Sequence, residues 1–324
     1  MKRISNYIYN IFLFFFSLII VLIFCESILR IKNYFVPNYD IEMWNYSKIL
    51  KEKSSNPKIG HVHIKNKSAI LQKVNIKINN LGQRGEDIDL GKLSDFDKRI
   101  LILGSSITLG WGVEQDKTLT SVIKKKSIID NHNWLVINGG IGNYNTERYI
   151  NNYFENWVKL EPTDIIIQFF VNDTEELTDN KINFFTKHTH IGVMIWKFLS
   201  SLKLEYKLDN IENYYKELFE DNNNGFKTTV SELKNLKNHC LIKKINCIIV
   251  LTPDINKLNP YKLNFINNKM KKVANDLDLK VYDLLDQFSK VEEASLWNSY
   301  NDPHPNELGH TIMGNQIYKI LISK

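Results

Sequence analysis

Five short, almost uninterrupted apolar runs constrain this chain most. They lie at residues 99–103, 135–137, 164–170, 247–251 and, more weakly, 279–282. A strand covered on one face alternates apolar and polar residues, whereas a strand covered on both has no reason to. Runs of this kind predict a parallel sheet between two layers of helices. The segments between them agree. Residues 145–160, 226–243, 259–277 and 305–322 carry apolar residues at helical spacing. Asn145 or Thr146 ahead of Glu147 is a helix-start signal. Strand and helix alternate, which predicts an α/β sandwich.

A sixth apolar run is of another kind. Residues 7–25 are broken only by Asn10 and Ser17. As a helix they would extend about 28 Å, close to the hydrocarbon thickness of a bilayer. Tyr7 and Tyr9 suit one interface, Tyr34 and Phe35 the other. A cleaved signal peptide needs small residues before the cut, and Cys25-Glu26-Ser27 serves poorly. Phe24 is too large for the position before a lipidated Cys. An uncleaved, single-pass membrane anchor is therefore expected. Lys2 and Arg3 argue for an inside N-terminus and an extracytoplasmic, periplasmic-side catalytic domain; Arg30 and Lys32 argue the reverse.

Composition adds exclusions. Apolar residues make up 43% and charged residues 24% of 324, which excludes a disordered or an all-membrane chain. Three Cys exclude a disulfide framework. Cys240 and Cys247 either pair or are two separately buried thiols. The net charge of +6 is mild, and no nucleic-acid partner is expected. Asn, Lys and Ile are over-used together, as in a low-GC coding bias.

Three regions follow: an anchor at 1–35, an extension with small β elements at 36–96, and the main domain at 97–324. In the extension, His61-Val62-His63-Ile64 and residues 73–78 alternate as half-exposed strands do, and Asn79-Asn80-Leu81-Gly82 is a turn signal. His61 and His63 share a strand face, with no third metal ligand near, so an exposed polar face is expected. Residues 174–225 exceed a simple crossover and read either as a lid or as helices packed on the sheet.

Open parallel sheets carry their sites at the carboxyl ends of the strands. The first run ends in Gly104-Ser105-Ser106-Ile107-Thr108-Leu109-Gly110. A Ser on a tight turn into a helix is a candidate nucleophile, with backbone N–H groups aimed at a developing oxyanion. A P-loop is absent. The second run leads into Asn138-Gly139-Gly140-Ile141-Gly142-Asn143, where glycines admit close backbone approach. The third ends in Val171-Asn172-Asp173, whose Asn is a candidate amide donor or helix cap. Near the C-terminus, Asn301-Asp302-Pro303-His304-Pro305-Asn306 places Asp and His two apart on a stiffened loop, the activating half of a triad.

Together these blocks resemble the SGNH, or GDSL-type, hydrolases. The resemblance covers about residues 97–324. It implies a flavodoxin-like three-layer α/β/α sandwich with a five-stranded parallel sheet, here preceded by one N-terminal transmembrane helix. It implies Ser106 as nucleophile, His304 as base and Asp302 as its partner. It implies an oxyanion hole from Ser106, Gly140 and Asn172, without metal or cofactor. Glu26-Ser27-Ile28-Leu29-Arg30 and Asn80-Leu81-Gly82-Gln83-Arg84-Gly85 also look like membrane-anchored bacterial members. Two departures stand out: Ser105 replaces the first-block Asp, and Phe170 replaces the third-block Gly. Asn143 stands where a second Gly often sits. The implied activity is a serine esterase acting on O-acyl or O-acetyl groups of a carbohydrate or lipid. The alternative is an O-acyltransferase modifying an envelope polysaccharide with the same triad. His188, His190 and His310 read as structural or surface residues.

Overall fold

The computed structural model describes residues 2–177, 184–205 and 211–323. The five apolar runs become β1 (Lys98–Gly104), β2 (Trp134–Gly140), β3 (Asp164–Phe169), β4 (Asn246–Leu251) and β5 (Lys280–Asp283). All pair in parallel, in the order β2-β1-β3-β4-β5. Successive side chains of a strand point to opposite faces. Leu101 and Leu103 accordingly join Ile165, Ile167 and Ile249 in one core, while Ile100 and Ile102 join Ile166, Ile248 and Val250 in another. Each face has its own core, which is why the strands read as continuous apolar runs.

Among the helices are α1 (Lys2–Phe35), α2 (Tyr39–Leu50), α3 (Leu119–Ile129), α4 (Thr146–Asn152), α5 (His190–Glu205), α6 (Asn224–Lys243), α7 (Asn264–Asp276) and α8 (Glu307–Ile322). Leu119 and Ile123 of α3, with Met313 and Ile317 of α8, cover one face of the sheet. Tyr149 of α4, Leu233 of α6 and Met270 of α7 cover the other. This is the expected three-layer sandwich. The strand order reverses direction between β1 and β3, and there a parallel sheet opens a crevice at its carboxyl edge.

Several elements differ from expectation. Residues 145–160 are not one regular helix. After α4 the chain widens into a π turn at Tyr153–Trp157, then a 3-10 turn at Val158–Leu160. Tyr153 and Trp157 are both buried, and the Trp157 indole N–H donates to the Leu81 carbonyl at 3.0 Å. The last helix starts at Glu307, not at 305. Asn306 caps it, and Asp302–Pro305 pairs antiparallel with Trp297–Ser299.

The extension holds two antiparallel strand pairs, Lys51–Lys53 with His61–His63 and Ser68–Leu71 with Val74–Lys77. It also holds α2, which the β reading overlooked. The signal was present: Tyr39, Met43, Tyr46 and Leu50 repeat at three and four residues, and Asn38 caps the start. These four pack with Ile76, Ile78, Leu109 and Trp111 in a third core.

The histidine strand does not present an exposed polar face. His63 is 1% exposed. It bonds Tyr46 Oη at 2.7 Å and the Gly82 carbonyl at 2.9 Å, while His61 bonds the Gly142 carbonyl at 3.0 Å. Cys240 and Cys247 are free, buried thiols, and their mutual hydrogen bond, then burial, pushes the Cys247 thiol up.

Helix α1 carries the long apolar run, whose most apolar 18-residue stretch has a mean hydropathy of 2.8 and no buried residue. Of residues 174–225, Glu175 and Leu177 line the crevice, and α5 packs on α2 through a Trp44–Trp196 contact at 5.4 Å. Residues 178–183 and 206–210 of that stretch lie outside the described residues.

Candidate active site

Strand β1 delivers Ser106 to the crevice. The strand ends at Gly104, and Ser106 opens the single helical turn Ser106–Leu109. The turn lies tight against its neighbours. A Cβ on Gly104 would sit 2.1 Å from Thr108 Oγ1. Thr108 Oγ1 instead donates to Gln168 Oε1 of β3 at 2.7 Å, a buried polar contact between adjacent strand ends. Gly110 ends the turn at φ +81°, a conformation other residues adopt at a cost.

The carbonyls at the far end of this turn are held from below. Arg84 Nη1 donates to the Leu109 and Gly110 carbonyls at 3.0 and 2.6 Å, and Nη2 to the Val113 carbonyl at 2.7 Å. Burial draws the Arg84 pKa down to about 10. Asn138 Nδ2 donates to the Thr108 carbonyl at 2.8 Å.

Opposite Ser106 stands the Asp302–Pro305 strand. Ser106 Oγ lies 2.9 Å from His304 Nε2, and His304 Nδ1 lies 2.6 Å from Asp302 Oδ1. Asp302 is 2% exposed and accepts further bonds from its neighbours. The Trp111 indole N–H reaches Oδ2 at 3.1 Å, and the His304 backbone N–H reaches Oδ1 at 3.2 Å. A carboxylate ringed by donors accepts from Nδ1–H, so Nε2 is the ring nitrogen that accepts from the Ser106 hydroxyl. The Tyr39 ring covers His304 at 5.5 Å. Burial, and then the charge of Asp302, pushes its hydroxyl well above the usual range.

The structure thus brings Ser106, Asp302 and His304 together, with Asn172 on the wall of the same cleft of about 230 Å³. It does not bring Gly140 there. Gly140 ends β2 behind the Ser106–Leu109 turn, where a Cβ would sit 2.1 Å from the Leu109 nitrogen. Its own N–H donates to Asn138 Oδ1 at 3.0 Å. Asn143, three residues on, lines the cleft in its place, at φ +64°. The sequence reading also missed Tyr39, Trp111 and Glu175. Trp111 had a signal in its position just beyond the glycine turn; Tyr39 and Glu175 reach the site only through packing.

The loop that carries Asn143 is held by the extension. Gly142 N–H donates to Tyr46 Oη at 2.9 Å, and its carbonyl accepts from Lys51 Nζ at 3.2 Å and from His61 Nε2 at 3.0 Å. Asn145 Nδ2 donates to the Glu175 carbonyl at 2.8 Å, tying the two walls together. Burial raises the Glu175 carboxyl. Among the described residues, no group of three or more His, Cys, Asp or Glu side chains has the arrangement of a metal site.

Among solved structures, a psychrotrophic esterase from Pseudoalteromonas sp. is 13% identical, with a TM-score of 0.45 over 70% of this chain and 98% of the other. A lipase/acylhydrolase from Enterococcus faecalis is 15% identical, with a TM-score of 0.46 over 70% and 96%. An acetyl xylan esterase is 12% identical, with a TM-score of 0.42 over 69% and 99%. No curated protein matches the chain. The model of the GDSL-like lipase/acylhydrolase family matches residues 102–312. With that match over most of its length, the chain belongs to the GDSL-like lipase/acylhydrolase family and is an ester-hydrolysing enzyme.

Proposed function

We propose that the chain cleaves carboxylic esters through an acyl-enzyme on Ser106. The observation that carries this is the unbroken hydrogen-bond chain from Ser106 Oγ through His304 to Asp302. Ser106 Oγ attacks the ester carbonyl while its proton passes to His304 Nε2. Asp302 holds the tautomer and balances the imidazolium. The proton then leaves with the alcohol, and water, deprotonated by the same nitrogen, releases the acid and regenerates Ser106. The oxyanion is held by the backbone N–H of Ser106 and the side-chain amide of Asn172. The backbone N–H of Asn143 is the third donor, because that of Gly140 is already taken by Asn138.

The cleft chemistry supports an O-acylated carbohydrate over a lipid. Its walls carry Asn143, Asn172, Glu175, Asp254 and Asn256 beside the Tyr39 ring and the apolar Phe170, Leu177 and Ile255, with no Lys or Arg among the described lining residues. Amides, carboxylates and an aromatic face suit hydroxyl groups; an anionic headgroup would lack a counter-charge. Helix α1 anchors the domain to a membrane, with the cleft on the extracytoplasmic side; the exposed apolar length of Tyr7–Phe35 supports the anchor. The test is hydrolysis of p-nitrophenyl acetate and of acetylated oligosaccharides. Wild-type turnover should be lost in Ser106→Ala, together with fluorophosphonate labelling. Activity retained by Ser106→Ala would refute the nucleophile, and preference for phospholipid vesicles would refute the carbohydrate.

A further inference from the structure

The apolar surface of this protein does not end where the membrane run ends. Past Cys25, α1 still exposes Ile28, Ile31 and Phe35, in line with Phe24 at steps of three and four residues. Glu26 and Asn33 occupy the opposite side and bind the protein: Asn33 Nδ2 donates to Glu42 of α2 at 2.9 Å. The face of α1 turned away from the domain therefore stays apolar to its last turn.

Helix α5 repeats the pattern beside it. Val193, Trp196 and Lys197 face α2, where Trp196 packs on Trp44 and Lys197 pairs with Asp40 at 3.0 Å. Ile195, Phe198 and Leu199 lie on the other side of the helix and are exposed, Phe198 by 61%. Just upstream, Phe184 and Phe185 are also exposed.

Polar bonds fix this segment to α1 at the level where the anchor's run stops. Glu26 accepts the His190 N–H on Oε1 at 2.9 Å and the Ile191 N–H on Oε2 at 3.0 Å, so a side chain of α1 caps the first turn of α5. Arg30 Nη2 donates to the His188 carbonyl at 3.0 Å, and Lys48 Nζ to the Lys187 carbonyl at 3.1 Å. Polar groups are spent between the helices, and apolar groups are turned outward on both.

We propose that α5, with Phe184 and Phe185, is a second membrane contact that seats against the lipid bilayer beside α1. The inference rests on the reading of α1 as an anchor. A bilayer is the occupant we assign, because the α1 stripe continues the membrane run without a break and α5 is bonded to α1 where that run stops. Lys32 and Lys187 at the margin suit lipid headgroups, and exposed Phe rings suit the apolar side of the headgroup boundary. The catalytic consequence is geometric. Tyr39, which covers His304, begins α2, and α2 packs against α5 and is bonded to α1 through Asn33 and Glu42. The cleft is then held at a set height and tilt above the bilayer.

The test uses the full chain in nanodiscs of phosphatidylethanolamine and phosphatidylglycerol. Benzoylphenylalanine replaces Phe198, Phe185, Phe16 or Ile242 one at a time, and irradiated samples are read by mass spectrometry. Ile242 is an exposed apolar residue of α6 and serves as the solvent control. Retained p-nitrophenyl acetate hydrolysis shows that each variant is folded. Lipid adducts at positions 198 and 185, comparable with those at 16 and several-fold above those at 242, are the expected result. Adducts at 16 but only control levels at 198 and 185 would overturn the second contact and leave the anchor standing. Control levels at 16 as well would overturn both. Links from 198 or 185 to a second protein chain, in place of lipid, would also overturn the proposal.

Discussion

Ser106, His304 and Asp302 are ordinary residues whose neighbours define them. Asp302 is fully donated to by Trp111 and His304, so it orients the ring and leaves Nε2 turned to Ser106. Two neighbouring positions separate packing from chemistry. Gly140→Ala would drive a Cβ into the Leu109 backbone, so it should lower the melting temperature by many degrees or prevent folding, measured by circular dichroism. Asn143→Gly keeps the backbone N–H and suits the positive φ, so turnover of p-nitrophenyl acetate should persist. Asn172→Ala removes one proposed oxyanion donor and should lower kcat by about 10²–10³ with little change in melting temperature.

At the scale of elements, the turn after β1 is built by parts of the chain far from it. Arg84 gathers three carbonyls at the end of that turn from within the extension. A Lys cannot reproduce a planar fork. Arg84→Lys and Arg84→Met should therefore both lower kcat more than they raise KM, and both should lower thermal stability. Tyr46 does the same for the Asn143 loop. Gly142 N–H donates to its hydroxyl, which donates in turn to His63 Nε2. Tyr46→Phe leaves a buried N–H and a buried ring nitrogen unpaired, and should cost about 1–3 kcal/mol in urea unfolding. The extension is thus a structural wall of the active site and not a spacer between α1 and the sheet.

The whole molecule should be acid-sensitive for a related reason. Burial lowers the pKa of both His63 and His310 to about 3 from an ordinary 6.5. Their neutral forms are built in: His63 Nε2 accepts from Tyr46, and His310 Nδ1 accepts from the Leu119 N–H at 3.1 Å. The unfolded chain protonates these rings below about pH 6.5 while the folded chain does not. Stability is therefore present above that pH and falls on acidification down to the folded pKa near 3. Each ring contributes a slope approaching about 1.4 kcal/mol per pH unit. Urea melts at pH 7.5 and 5.5 should show the loss, and His63→Gln should reduce it. An equal loss in His63→Gln and in the wild type would contradict the buried neutral ring of His63.

What the sequence determined by itself was periodic or contiguous. The doubly covered strands, the flanking helices and the long apolar helix follow from spacing along the chain, because each element repeats its own pattern. Ser106, Asp302, His304 and Asn172 were candidates because each lies next to such an element, and the resemblance to the SGNH hydrolases gave them their roles. What only the tertiary structure decided depends on residues distant in sequence. Gly140 and Asn143 lie on one glycine-rich stretch, and only the packing of β2 under the Ser106–Leu109 turn shows which of them faces the cleft. His61 and His63 alternate like an exposed strand, yet α2 and the Gly142 loop close over them. Tyr39 meets His304 across most of the chain's length. Burial and hydrogen-bond partnership are properties of the folded surface as a whole, and no local pattern of residues encodes them.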